Sequence, residues 1–190
     1  MINMLRSEHL NLRALRIADL KFLNEWRNNL ENKVLTQSYR LPVTTTLDEE
    51  WLKLKMSNNR ANEVFFIIEN IETEIPIGLI ELTDIDYISG RAVWGLLIGD
   101  KSMRGRGLGS EALLLLFDYA FNILNLRKLN AYCLDFNAKL LNVLKKIGNV
   151  KTEGTLKEHY FLNGSYHDVI ITSIFRNDFI KLYPKKNDTF

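Results

Sequence analysis

The sequence is poor in residues that form covalent cross-links and in residues that break up a chain. It has one cysteine, Cys133, and three prolines among 190 residues. A single cysteine excludes an internal disulfide, so nothing indicates an oxidising compartment. The formal net charge of +2 is too small to favour nucleic acid or an anionic membrane as the main partner.

Long apolar runs and metal-ligand patterns are also missing. The densest apolar run, residues 112–117, is far shorter than the ~20 residues that span a bilayer. The first residues lack the apolar segment of a secretory signal. His159 and His167 do not have the spacing of metal ligands. We therefore expect a cytoplasmic protein with no membrane or nucleic-acid partner and no metal.

What is present is typical of an ordinary globular chain. The hydrophobic content is 46% and the charged content 25%. No repeat or linker divides the sequence, so we expect one domain over residues 1–190, with a frayed tail at 184–190.

Hydrophobic periodicity and turn residues predict the order β-α-α-β-β-β-α-β-α-β-β. This order indicates an α/β (α+β) fold in which helices pack against one mixed sheet. The predicted strands are residues 10–15, 64–69, 77–83, 91–99, 129–134, 150–161 and 168–175. The predicted helices are residues 20–30, 46–56, 108–125 and 138–147.

A glycine-rich loop between the fourth strand and a long apolar helix is the sharpest motif. Glycines allow unusual backbone angles and close approach of a ligand, and the helix N-terminus offers free N–H groups and a positive dipole end. Two arginines add full charges. The loop therefore predicts a pyrophosphate site made by Arg104, Gly105, Arg106, Gly107, Leu108, Gly109 and Ser110.

Two other phosphate-binding motifs fail here. A Walker loop requires Gly-Lys-Ser/Thr at its end, and this loop ends Gly107-Leu108-Gly109-Ser110. A dinucleotide fingerprint, G-x-G-x-x-G, would need its third glycine at the position of Ser110.

Arg104-x-x-Gly107-x-Gly109 resembles the (Gln/Arg)-x-x-Gly-x-(Gly/Ala) signature of the GNAT acetyltransferases. The resemblance extends over residues 12–179, and the segments around Asn137, Glu153-Gly154 and 164–169 are similar to the ribosomal-protein and amino-sugar branch. It implies acetyl-CoA as the acetyl donor. It also implies a mixed, mostly antiparallel sheet of about seven strands, flanked by about four helices and splayed at strands 4 and 5.

The resemblance further implies direct transfer from the thioester to an amine, without an acyl-enzyme. Leu97, Ile98 and Gly99 would pair their backbone with the pantetheine arm, and the N–H near Leu97 would polarise the thioester carbonyl. Asn137 would contact the coenzyme, although its position equally predicts a helix N-cap. Cys133 is interpreted as a buried strand residue.

The acid and the base are less well defined by the sequence. Glu81 interrupts an apolar strand, so it is either the general base or an outward-facing residue of the strand. By the resemblance, many relatives carry an acid tyrosine at the position that Leu144 occupies here, or Val143 if the alignment gap falls elsewhere. Tyr132 and Tyr160 are possible substitutes.

For the acceptor, Trp26-Arg27-Asn28 and the segment around Tyr39-Arg40 resemble enzymes that act on nucleotide-linked amino sugars. This resemblance implies that Arg27 and Arg40 contact phosphate and Tyr39 stacks on a ring. A peptide amine, recognised by the acidic run 48–50, is the alternative. A non-catalytic acyl-CoA-binding protein is a third possibility. We expect a small-molecule or peptide amine substrate and a monomer or homodimer.

Overall fold

The computed structural model describes residues 5–37, 41–57 and 62–184. No helix in these ranges is long and apolar enough to cross a membrane. The strands are β1 (Leu10–Arg13), β2 (Val64–Asn70), β3 (Pro76–Asp86), β4 (Arg91–Ile98), β5 (Lys128–Leu134), β6 (Lys151–Leu162) and β7 (Ser165–Phe175). The helices are α1 (Leu20–Asn28), α2 (Leu30–Leu35), α3 (Thr45–Met56), α4 (Leu108–Asp118), α5 (Ala138–Ile147) and α6 (Arg176–Leu182).

The seven strands form one mixed sheet in the order β1-β2-β3-β4-β5-β7-β6. Only β4 and β5 run parallel, and the other five neighbouring pairs are antiparallel. This arrangement confirms the predicted fold class. The sheet consists of an antiparallel part, β1 to β4, joined at β4 to a second part, β5 to β7.

The helices cover the two faces of the sheet separately. On one face, Leu23 and Trp26 of α1 and Leu52 of α3 pack on Ile67 of β2 in a buried apolar cluster. On the other face, α4, α5 and α6 contribute to the largest core cluster. Each of these five helices buries apolar residues against the sheet, which removes apolar surface from water.

Helix α4 is apolar on nearly all sides because the sheet lies on one side and α6 on another. Phe117 packs on Trp94 of β4, with ring centroids 5.6 Å apart. Phe179 of α6 packs on Phe117 at 6.1 Å and on Phe121 at 5.4 Å. Phe121 belongs to a short π-helical continuation, Tyr119–Ile123. The sequence had not predicted α6.

The first predicted helix is in fact two helices. Asn29 is extended, and its side-chain oxygen accepts a hydrogen bond from the Asn32 N–H at 3.2 Å, which starts α2 as a new helix. The break redirects the chain, so that Glu31 and Asn32 face the loop that follows β4.

Candidate active site

The sheet opens between β4 and β5, as expected for strands 4 and 5. The two strands pair only at Arg91↔Lys128, Ala92↔Leu129 and Val93↔Asn130. Beyond Val93, β4 continues to Ile98 while β5 continues to Leu134, and no ladder joins them. A V-shaped gap therefore lies in the centre of the sheet, and one edge of β4 has no strand partner along residues 94–98.

The open edge of β4 contains the backbone that was predicted to hold a pantetheine arm. Leu97 and Ile98 pair with β3 on the other edge only, opposite Leu79 and Gly78. Amide and carbonyl groups on the β5 side of this stretch can therefore pair with a strand-like ligand. The Ile98 carbonyl is an exception, because it accepts a hydrogen bond from Arg104 Nε at 2.9 Å.

Gly99 is required by close packing. A Cβ atom at this position would lie 2.2–2.4 Å from atoms of the Trp26 indole. The Gly99 N–H donates to the Ile77 carbonyl at 2.8 Å. Helix α1 therefore lies directly against the end of β4, and only glycine fits between them.

The loop after β4 has the geometry of an anion site. Gly105 and Gly107 have φ of 78° and 86°, which L-residues with a side chain rarely adopt. Cβ atoms built on either glycine would meet nothing within 4 Å, so space is open beside the backbone. Gly107 is the N-cap of α4, and the N–H groups of Leu108 and Gly109 have no acceptor within the helix, while the Ser110 N–H donates to the Gly107 carbonyl at 3.0 Å. These features fit a pyrophosphate.

The two loop arginines differ in their surroundings. The Arg104 guanidinium donates to Glu31 Oε1 at 3.1 Å and to the Asn32 side chain, so it ties the loop to α2. Arg106 is exposed, and no ion pair to it is found within the described residues. Among the described residues Arg106 is therefore the less engaged of the two, and contact of either arginine with a phosphate stays a prediction.

Asn137 is an N-cap, as its alternative interpretation predicted. Its side-chain oxygen accepts from the Leu140 N–H at 3.2 Å, and its own N–H donates to the Leu134 carbonyl at 2.9 Å. The residue is 8% exposed and begins α5 beside the splayed end of β5. Contact of Asn137 with the coenzyme stays a prediction.

A cavity of about 700 Å³ lies on the α1–α3 face and meets the splay. Glu81 is part of its wall. Glu81 pairs in register with Phe65 on one side and with Gly95 on the other. A Cβ on Gly95 would lie 2.7 Å from Glu81 Oε1, so the absence of a side chain there makes room for the carboxylate. The lining includes Trp51, Lys55, Glu63, Phe65, Glu81 and Tyr132.

The surroundings of Glu81 favour its protonated form. The pKa of Glu81 is raised from 4.5 to about 7, mainly because burial disfavours the charged carboxylate. The positive charges of Lys55 and Arg27 lower this pKa, and the negative charge of Glu63 raises it. A carboxylate with this pKa is partly ionised at neutral pH and can accept a proton from an amine. Of the two interpretations of Glu81, the structure favours a cavity carboxylate.

The cavity also holds two cations against aromatic rings. The Arg27 guanidinium lies 4.8 Å from the Trp51 ring and pairs with the fully buried Asp48 carboxylate. The Lys55 ammonium lies 4.7 Å from the Phe65 ring centroid. Sequence reasoning had not predicted that Lys55, Glu63 and Phe65 belong to the site, because they come together only when α3 packs on β2.

These contacts change the expected role of Arg27. One guanidinium nitrogen donates to Asp48 and the group lies over Trp51, so a bidentate phosphate contact is less favoured; contact of Arg27 with the acceptor stays a prediction. Asp48 is likewise engaged, with Arg27 and with Asn24 at 2.6 Å. Tyr39 and Arg40, the other two predicted acceptor residues, lie outside the described residues.

The three positions considered for the general acid differ in their exposure to the cavity. Leu144 is 4% exposed and belongs to the core, so its side chain faces away from the cavity. The Tyr160 hydroxyl donates to the Val34 carbonyl at 3.4 Å and the residue is buried. Tyr132 is 47% exposed and lines the cavity. Val93 of β4 and Asn130 of β5 are register partners, so their side chains lie on the same face of the sheet. Side chains two residues further along each strand, at Gly95 and Tyr132, lie on that face too. Glu81 is the register partner of Gly95 and therefore shares this face with Tyr132.

Cys133 is not a nucleophile in this arrangement. It is 1% exposed, and burial raises the pKa of its thiol to about 11. A thiol with this pKa holds almost no thiolate at neutral pH. The position of Cys133 supports the interpretation of a buried strand residue.

Comparisons with known proteins agree with this geometry. Residues 9–150 match the family model of the GNAT acetyltransferase domain. The spermidine N(1)-acetyltransferase of Vibrio cholerae is 32% identical over 163 residues, which cover 86% of this chain and 91% of that protein. The enzyme of the same name from Escherichia coli K12 is 28% identical over 178 residues, which cover 94% and 92%.

A solved structure is similar over nearly the whole chain. It is the spermidine N-acetyltransferase from Vibrio cholerae in complex with CoA and spermine. The TM-score is 0.83 at 29% sequence identity, with 92% of this chain and 99% of that chain covered. The match of fold, loop motif and family model leads to one conclusion. This chain belongs to the GNAT acetyltransferase family, and it is an acetyl-CoA-dependent N-acetyltransferase that acts on an amine.

Proposed function

We propose that the acceptor is a primary aliphatic amine of the polyamine class, with spermidine as the first candidate. The observation that carries this proposal is the position of Glu81, a carboxylate with a pKa of about 7 on the cavity wall beside the open edge of β4. The spermidine acetyltransferases of Vibrio cholerae and Escherichia coli, which resemble the chain over most of its length, support the choice of amine.

The aromatic wall of the cavity suits an alkylammonium. Trp51 and Phe65 meet edge to face, with ring centroids 5.5 Å apart, and each ring already carries a cation of the protein itself. Ring faces attract ammonium groups electrostatically, and apolar rings also contact methylene chains. A nucleotide-linked amino sugar, which the sequence had suggested, finds less support because Arg27 is held by Asp48.

Three groups of the chain take part in the acetyl transfer. Acetyl-CoA supplies the acetyl thioester. Glu81 accepts a proton from the ammonium, so that the neutral nitrogen can attack the carbonyl carbon. A backbone N–H near Leu97 on the open edge of β4, that of Ile98, donates to the carbonyl oxygen as negative charge develops. Tyr132 donates its hydroxyl proton to the sulfur as the carbon–sulfur bond breaks, and the second proton that the nitrogen loses as the amide forms restores the Tyr132 hydroxyl. No acyl-enzyme is formed.

Thiol release from acetyl-CoA with a panel of acceptors tests the proposal. The panel contains spermidine, spermine, putrescine, a peptide with a free N-terminus, and UDP- and dTDP-linked 4-amino sugars. We expect release with the polyamines and a product heavier by one acetyl group in mass spectrometry. Release only with the peptide or only with the amino sugars would refute the polyamine proposal. Glu81→Gln, assayed in parallel, controls for release that does not depend on the site.

A further inference from the structure

Lys55 and Glu63 form an ion pair inside the acceptor cavity. The Lys55 ammonium donates to both carboxylate oxygens of Glu63, at 2.7 and 2.6 Å. The two side chains are only 9% and 14% exposed. Both line the large cavity, so the pair is part of the wall that an acceptor meets.

The Lys55 side chain presents the chemical group that a polyamine presents. It is a primary ammonium at the end of four methylene groups, and it lies 4.7 Å from the Phe65 ring and 5.9 Å from the Trp51 ring. A carboxylate and two ring faces make a favourable environment for an ammonium. In this structure a side chain of the protein itself occupies that environment.

The pair lies close to the reacting end of the cavity. Phe65 is the register partner of Glu81 on the adjacent strand. Glu63 precedes Phe65 by two residues, ~6.7 Å along the strand direction, and adjacent strands are ~4.8 Å apart, so the backbones at Glu63 and Glu81 are roughly 8 Å apart, the length of a short alkyl chain. An amine whose reacting nitrogen is at Glu81 therefore places a second nitrogen, a few methylenes away, near Glu63.

We infer that Glu63 is a subsite for a second ammonium of the acceptor, and that Lys55 is a tethered competitor for this subsite. The inference rests on the proposed function, because it assigns a subsite to the same amine. A tethered group competes at high effective concentration, so Lys55 weakens the binding of diamines and polyamines without affecting monoamines in the same way.

A second cavity gives the displaced lysine somewhere to go. It has a volume of about 330 Å³ and shares Lys55 and Glu63 with the large cavity, and its other lining residues include Leu54, Met56 and Tyr119. Rotation of the Lys55 side chain toward this cavity would leave the Glu63 carboxylate facing the large cavity. Exchange of ammonium groups therefore needs no movement of the backbone.

The test compares two acceptors that differ only in the second ammonium, butylamine and putrescine, on wild type and Lys55→Met. Methionine keeps the unbranched apolar stem and removes the charge. We expect the ratio of kcat/KM for putrescine to that for butylamine to rise about tenfold, a typical effect of one partly buried charge-assisted contact. Loss of Lys55 also changes the pKa of Glu81, but this affects both acceptors and cancels in the ratio.

Two further variants make the result specific. Lys55→Met with Glu63→Gln should return the ratio toward the wild-type value, because the subsite has lost its charge. Lys55→Gln should behave as Lys55→Met does and serves if the methionine variant unfolds. An unchanged or lowered ratio, with both amines still acetylated, would overturn this inference alone. Absence of turnover with any amine would overturn the proposed function and this inference with it.

Discussion

At Glu81, burial and nearby charges act in opposite directions. Burial raises its pKa, and the cations Lys55 and Arg27 limit the rise, so that the value settles at about 7. A base is most effective when its pKa lies near the working pH, because it is then both available and basic enough. The two cations therefore keep Glu81 from becoming a permanently neutral carboxylic acid.

Replacement of Glu81 by glutamine should lower kcat/KM about 10²–10⁴-fold, the usual contribution of a general base. In the wild type, kcat/KM should rise with pH up to about 7 and then level off, because the ionised carboxylate is the active form. The variant should lose this dependence. A pH–rate profile of both proteins measures the effect, and a loss of less than threefold would contradict the role of base.

Stability provides the control for this variant. The pKa of Glu81 is higher in the folded state, at about 7, than its ordinary 4.5, so the stability that it contributes is lost as pH rises between these values. Above pH 7, Glu81→Gln should therefore be more stable than wild type, by at most about 3 kcal/mol. Below pH 4.5 the difference should vanish. Urea unfolding at pH 5 and pH 8 separates lost catalysis from lost folding.

Tyr132→Phe should lower kcat about 10²-fold with acetyl-CoA, because the departing sulfur loses its proton donor. An acetyl ester of an acidic aryl thiol, whose thiolate leaves without a proton, should be used almost equally by both proteins. Tyr166→Phe is the matched control, since Tyr166 is exposed and packs on Phe161 away from the cavity. Equal losses with both donors would mean that Tyr132 has only a structural role.

At the scale of elements, the sequence predicted correctly those features that depend on residues close together in the chain. The loop glycines and the start of α4 are encoded within a few residues, and so is the N-cap at Asn137. Helix α6 was missed because its seven residues are held by Phe179, which packs on residues about 60 positions earlier. The tie between Arg104 and Glu31 spans 73 residues, and no spacing in the sequence could reveal it.

Gly107→Asp should weaken acetyl-CoA binding at least tenfold, since it puts a negative charge where the pyrophosphate is proposed to lie. Gly107→Asn is the matched control. Asparagine has the same shape without the charge, and it tolerates the positive φ of 86° better than most residues. Calorimetric titration of acetyl-CoA should show the asparagine variant close to wild type. Equal affinities of the two variants would mean that the phosphates lie elsewhere.

At the scale of the whole molecule, the proposed coenzyme loop and the acceptor cavity lie on different faces of the sheet. The proposed pyrophosphate loop leads into α4 on one face, and the acceptor cavity lies against α1 and α3 on the other, so the splay is the place where they meet. One sheet runs through the described residues, and one domain over residues 1–190 stays a prediction. Residues 185–190, most of the expected frayed tail, lie outside the described residues. A monomer or homodimer stays a prediction.

Saturating acetyl-CoA should raise the melting temperature by about 5–10 °C at a hundredfold excess over its Kd, because a ligand that binds only the folded state adds about 2.7 kcal/mol. Differential scanning fluorimetry measures the shift. Gly107→Asp, whose affinity is expected to be at least tenfold weaker, should show at most about half of this shift at the same concentration. An equal shift in both proteins would argue against the loop as the coenzyme site.

The short β4–β5 pairing has a consequence for handling the protein. Three residue pairs join the two parts of the sheet, and the rest of the inner β4 edge is left without a ladder. Unpaired strand edges are templates on which other chains add strands and aggregate. A pantetheine arm that lies along this edge would occupy its backbone groups and so prevent another chain from adding a strand there. Coenzyme A in the lysis buffer should therefore improve the recovery of soluble protein, even in variants that can no longer turn over.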